Sequence, residues 1–200
     1  MRRGLLLFSL FLPGWGQPAT APSFELQNAT NGMATVIVRN PSNQSLKVAI
    51  PSHAVLTHPQ LQDQMLLDKS RTVTVGPRSQ SQFRSATMCV GARLESTQGS
   101  GFQLTTEPHP QATQALRMLE TCGRLQSEGA LPPIPLLPGN QQTVVAQWAY
   151  WSEQGQASKE DLFKVVHTQL KTEPKDEPEV QKAVDNTWEA IDLTRKEAKK

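Results

Sequence analysis

Residues Ala34–Ile50 read ATVIVRNPSNQSLKVAI, and this stretch decides the fold class. Its first six residues are rich in β-branched side chains, which lose little by extending into a strand. Asn40-Pro41-Ser42-Asn43 then supplies turn residues. From Leu46 the pattern alternates, so that Leu46, Val48 and Ile50 share one face while Lys47 and Ala49 share the other. Two short strands across a tight connection are the signature of antiparallel β structure.

The same pattern continues outward. Strands are expected at Ala54–Thr57, Gln64–Leu67, Arg71–Val75, Gln82–Leu94 and Phe102–Thr105, with Gly76-Pro77 and Gly99-Ser100-Gly101 as punctuation. Seven or eight short strands at nearly even spacing predict an antiparallel β-sandwich of immunoglobulin-like architecture over residues 22–107. After Pro108 the period changes. Gln111–Leu125 places Ala115, Met118, Leu119 and Cys122 on one helical face. Leu131–Pro138 holds four prolines and cannot be helical; it reads as an extended strap across a core, with a polyproline ligand as the other reading. Thr143–Trp151 is densely apolar and fits a helix, or else a buried strand. Ser158 and Asp161 form a capping-box pattern that opens a helix through Leu162, Val165, Val166 and Leu170. The expected fold is therefore α+β: the sandwich, a helical segment packed on it over 108–171, and a charged C-terminal helix or tail over 172–200. In that last region Val180, Val184, Trp188 and Ile191 form a narrow apolar stripe.

The N-terminus carries an address. Arg2 and Arg3 precede a short apolar core running to Pro13, the pattern of a secretory signal peptide within residues 1–21. Cleavage fits after Gly16 or after Ala21. The apolar run is shorter than the roughly 20 residues needed to span a bilayer. No later segment is long and apolar enough either, so a secreted, periplasmic or cell-surface product without a transmembrane segment is expected. A net charge of +2 on 200 residues, with no basic stripe, argues against nucleic acid as partner. Charge is placed unevenly: 19 of the 38 Lys, Arg, Asp and Glu residues lie in the last 43 positions, which marks a composition break near Gly155.

Few residues carry chemistry. His53, His58, His109 and His167 show no metal-ligand spacing, although His53, His58 and Asp63 share one loop region, and neither a metal nor a cofactor is expected. Only eight carboxylates precede Ser158, which argues against a hydrolase built on paired acids. Asn28-Ala29-Thr30 and Asn43-Gln44-Ser45 match glycosylation sequons. The two cysteines, Cys89 and Cys122, leave three fates open. Outside the reducing cytoplasm they can pair in a disulfide, whose loop of about 30 residues would contribute roughly 3 to 4 kcal/mol in the chain-entropy argument. They can remain thiols, or Cys89 can act as a nucleophile; a pair of Cys89 with His167 has no local support in the sequence.

The third fate is suggested by Gln147-Trp148-Ala149-Tyr150-Trp151, which resembles the Q-x-A-aliphatic-W segment of the thioester domains of bacterial surface adhesins. The resemblance implies that Cys89, at the end of a strand, condenses with Gln147 to an internal thioester that acylates a surface amine or hydroxyl. Trp148, Tyr150 and Trp151 would then wall the site against water. The chain departs from the family pattern at Ala146, where Thr is usual, at Tyr150, where an aliphatic is usual, and in lacking an aromatic beside Cys89 and a wall-sorting motif. The function expected from the sequence as a whole is binding or scaffolding without turnover in the cell envelope or outside it, toward another envelope or surface protein. The thioester adhesin is the alternative.

Overall fold

The computed structural model describes residues 21–30, 32–52, 54–58, 64–90, 99–105, 110–134, 140–170 and 177–200. The signal-peptide reading of residues 1–20, together with His53, Asp63, His109 and residues 135–139 of the proline strap, falls outside them.

The chain is α+β; the described residues form eight strands followed by four helices. The strands are β1 (Ser23–Thr30), β2 (Met33–Arg39), β3 (Leu46–Ile50), β4 (Val55–Thr57), β5 (Gln64–Leu67), β6 (Arg71–Val75), β7 (Gln80–Cys89) and β8 (Gly99–Thr105). All pairings are antiparallel. The expected immunoglobulin-like sandwich is replaced by a closed six-stranded barrel in the order β1-β2-β7-β5-β4-β8, with β3 and β6 as a separate two-stranded ribbon. Two strands bring about the closure. The ten-residue β7 pairs with β2 along Gln80–Ala86 and with β5 along Thr87–Cys89. At the seam, β8 pairs with β1 at one end and with β4 at the other. Closure gives each barrel strand a partner on both sides.

Where β1 bends toward β2, the register slips between Gln27 and Thr30 and Asn28 takes a left-handed φ of 51°, a conformation that asparagine tolerates better than most residues. The barrel core is built from Phe24, Leu26, Val36, Val38, Leu56, Met65, Leu67 and Phe102. The β3–β6 ribbon adds Val48, Ile50, Val73 and Val75 from its apolar face, while Lys47, Ala49, Thr72 and Thr74 stay exposed, as strict alternation dictates. At the barrel's end Asn40 donates through its side-chain amide to the carbonyls of Gln44, Val75 and Gly76 and so fastens the ribbon's connections.

The helices are α1 (Pro110–Ser127), α2 (Gln141–Glu153), α3 (Lys159–Leu170) and α4 (Glu177–Glu197). Each has local reasons to start or stop. The Asn140 side chain accepts from the Thr143 N–H and caps α2, whose end is a Schellman turn: Gln156 N–H donates to Trp151 O, Gly155 N–H donates to Ser152 O, and Gly155 takes φ 69°. The capping box is present, with Ser158 N–H and Oγ–H both donating to Asp161 Oδ2 and Asp161 N–H donating to Ser158 Oγ. Thr143–Trp151 takes the helical of its two readings. Because α2 is buried on nearly every side, its apolar residues follow no single stripe. It lies between α1, α4 and the end of β7. The last region is a 21-residue helix whose Val180, Val184 and Ile191 enter the shared helical core. Arg195 fastens it to the C-terminal end of α2 through Ser152 Oγ (2.7 Å) and Glu153 (3.4 Å).

The candidate site where helix α2 meets the end of strand β7

Antiparallel pairing leaves a specific deficit at Cys89. Successive residues of a strand offer their N–H and C=O to opposite edges. On one edge of β7 the Val90 N–H donates to Gln64 O (2.9 Å), and on the other the Thr87 N–H donates to Gly32 O (2.9 Å), just before β2 begins. The next residue facing that second edge is Cys89, and β2 does not reach it. Its N–H and C=O would be left unpaired in a partly buried setting, at a cost of up to about 1 to 3 kcal/mol for each orphaned group.

Gln147 fills the gap. Its Oε1 accepts from the Cys89 N–H at 2.5 Å, and its Nε2 donates to the Cys89 carbonyl at 2.8 Å. The carboxamide thus takes the place that a peptide group of another strand would occupy. Gln147 is buried, at 8% exposure. One helical turn later, and on the same face of α2, the Tyr150 hydroxyl donates to the Val90 carbonyl at 3.0 Å. Two side chains of one helix therefore hold consecutive residues of the strand end. Burial raises the tyrosine above its ordinary titration range, so the hydroxyl remains a donor.

The Cys89 side chain is half-buried, lies between the barrel core and the helical core, and contacts Met65 across the β5–β7 pair, Sγ to Sδ 4.0 Å. The sulfur hangs two bonds from the Cα whose own N–H and C=O are bridged by the Gln147 carboxamide. Trp148 and Trp151 meet edge to face, centroids 5.9 Å apart, and both lie in the core with Tyr150, so these aromatics pack α2 into the helical core and do not line an open surface.

The two cysteines are not joined. The expected Cys89–Cys122 disulfide is absent, and the topology separates the two roles. Cys122 points inward from α1 toward α4, where it hydrogen-bonds with Thr194, and desolvation pushes its thiol up to about 11. Such a thiol stays protonated and unreactive. Cys89 ends a strand beside α2. The described histidines take no part in the site. His58 Nε2 lies 3.1 Å from the Ser100 carbonyl and its ring meets Phe102 edge-on, while His167 stacks obliquely with Phe163. Among the described residues no group of His, Cys, Asp and Glu could hold a metal ion, and no helix is long and apolar enough to cross a membrane. Of the sequence-derived candidates, then, Cys89 and Gln147 come together. The contributions of Met65, Val90 and the Tyr150 hydroxyl follow from strand pairing, which no linear motif encodes.

Comparison with family models, with curated proteins and with solved structures gives no match for this chain.

Proposed function

We propose that this chain is an exported attachment protein in which Cys89 and Gln147 condense once to an internal thioester that acylates an amine or hydroxyl on a neighbouring envelope or surface protein. The observation that carries the reading is the Gln147 carboxamide seated on the main chain of Cys89 by two hydrogen bonds. In the condensation Cys89 Sγ attacks Gln147 Cδ. The S–Cδ bond forms, the Cδ–Nε2 bond breaks, and nitrogen leaves as ammonia with the thiol proton. The Cys89 N–H already points at Oε1, where negative charge gathers in the tetrahedral intermediate; a fixed donor of this kind is worth several kcal/mol of barrier in a dry site. Burial of Gln147 in the helical core with Trp148, Tyr150 and Trp151 would slow hydrolysis of the product. In the second step an incoming amine or hydroxyl takes the acyl group, and the proton it gives up returns to Sγ. Each molecule reacts once, so there is no turnover.

A second reading has its own support. The carboxamide is satisfied at both ends where it stands, which suits a permanent clamp between α2 and β7 in a non-covalent binding or scaffolding protein.

The intact mass of the unreduced mature protein separates the two. The thioester reading expects a wild-type chain lighter by one ammonia, Cys89→Ala and Gln147→Ala chains at full sequence mass, and a methylamine adduct on Gln147 after treatment with that amine. A wild-type chain at full mass leaves the clamp, and a chain two hydrogens lighter would mean a disulfide after all.

A further inference from the structure

Tyr150 is among the largest fully buried side chains of the protein, at 1% exposure. An aliphatic or phenyl side chain would fill core space as well, so what needs a reason is the hydroxyl. Around Cys89 the main chain is held at four points. The Cys89 N–H and C=O go to Gln147, the Val90 N–H goes to Gln64 O, and the Val90 C=O goes to Tyr150. Only the last of these comes from outside the barrel and outside the reacting carboxamide. Gln147 and Tyr150 lie one turn apart on a single rigid helix, so two anchors fix both the distance and the tilt of the strand end against α2. With one anchor the strand end could pivot about the carboxamide. When the carboxamide reacts, its nitrogen departs and takes the bond to the Cys89 carbonyl with it; the tyrosine anchor is untouched by that step.

We propose that Tyr150 is a positioning residue, whose hydroxyl holds the Val90 carbonyl and thereby keeps the Cys89 main chain in register with the Gln147 carboxamide. The proposal rests on the thioester reading for the chemistry it serves, but the anchoring itself can be measured separately. The side chain touches no reacting atom; it acts through the strand.

Three mature, full-length proteins test it: wild type, Tyr150→Phe, and a protein with para-aminophenylalanine placed at Tyr150, which keeps a donor at the ring's far end. Two rates are read. One is ammonia loss after refolding, followed by intact mass. The other is amide hydrogen exchange at Cys89, with Thr87 on the same strand edge as the internal control. Loss of one buried hydrogen bond predicts that Tyr150→Phe loses ammonia about three- to tenfold more slowly and exchanges the Cys89 amide faster by a similar factor. Thr87 stays unchanged, and the para-amino side chain restores both rates at least in part. If Tyr150→Phe matches wild type in both rates, the idea is wrong. It is equally wrong if Thr87 speeds up as much as Cys89, or if the variant fails to fold, because the hydroxyl then supports the whole core. Should wild type keep its full mass while Cys89 exchange alone responds to Tyr150→Phe, the anchoring stands and the thioester reading falls.

Discussion

The barrel and the helical layer bury their apolar residues in different ways. Among the described residues, the buried barrel core comes from strands and their connections between Phe24 and Phe102. The helical core draws on all four helices, and also on Val55, Leu66, Met88 and Val90 from the barrel wall. Along β5, Met65 and Leu67 face into the barrel while Leu66 faces the helices; on β4, Leu56 and Val55 divide in the same way. The wall shared by the two regions is thus buried on both faces. One region is complete in itself, and the other is complete only against its neighbour. The difference implies an order of dependence: the helices need the barrel more than the barrel needs the helices.

The largest effect is expected in the barrel. Phe102→Ala removes a fully buried ring beside Phe24 and Leu26 and should cost about 3 to 5 kcal/mol. Trp148, Trp151 and Trp188, the described tryptophans, are all on helices, so their fluorescence reports the helical layer. Urea titration followed by fluorescence and by far-ultraviolet circular dichroism should show both midpoints falling together. A fluorescence midpoint that does not move would contradict the dependence of helices on barrel.

The converse variant is Leu162→Ala on α3, fully buried in the helical core and expected to cost about 2 to 5 kcal/mol. Here fluorescence should fall first, while amide protection in β1 and β2 persists. If protection there is lost at the same urea concentration, the two regions form one cooperative unit and the asymmetry is only geometric.

A smaller effect belongs to the α3 capping box. Ser158→Ala should cost about 1 kcal/mol by thermal melting, felt in the helical layer alone. It should also change the response to acid. The Ser158 side chain and then its main chain hold the Asp161 carboxyl below its usual value. Because its folded value lies below the unfolded one, this contribution is present above the unfolded value and is lost as pH falls through the folded one. Melting curves from neutral to acid pH should therefore show a smaller acid loss in Ser158→Ala than in wild type. An identical pH profile would remove Asp161 from the account of acid stability.

Much of this organisation is legible in the sequence. The alternation at Leu46–Ile50 marks a strand with one buried face, and the unbroken Met65-Leu66-Leu67 belongs to a strand buried on both. Turn residues and caps place most element boundaries. Barrel closure is different. It depends on β7 changing partners at Thr87 and on β8 bridging β1 and β4, pairings between residues 20 to 78 positions apart that leave no local trace. The candidate site shows the same division. A short motif singles out Gln147, and its place after a strand singles out Cys89. That the carboxamide meets the main chain of Cys89 is a consequence of where β2 stops. Tyr150 reads in the sequence as one of three aromatics that would wall the site, and only the strand beyond it reveals what its hydroxyl reaches.

The shared helical core also has a timing. A chain emerging N-terminus first holds every strand of the barrel once Thr105 has appeared, and can close it then. The helical core must wait for Ile191 and Ala198, nearly a hundred residues later, before its last buried side chains arrive. Until then α2 carries Trp148, Tyr150 and Trp151 without their full cover. During synthesis this is the interval in which the chain is most exposed to self-association and to chaperones. The barrel is ready early, and the vulnerability of the newborn protein is concentrated in the helix that later carries its candidate chemistry.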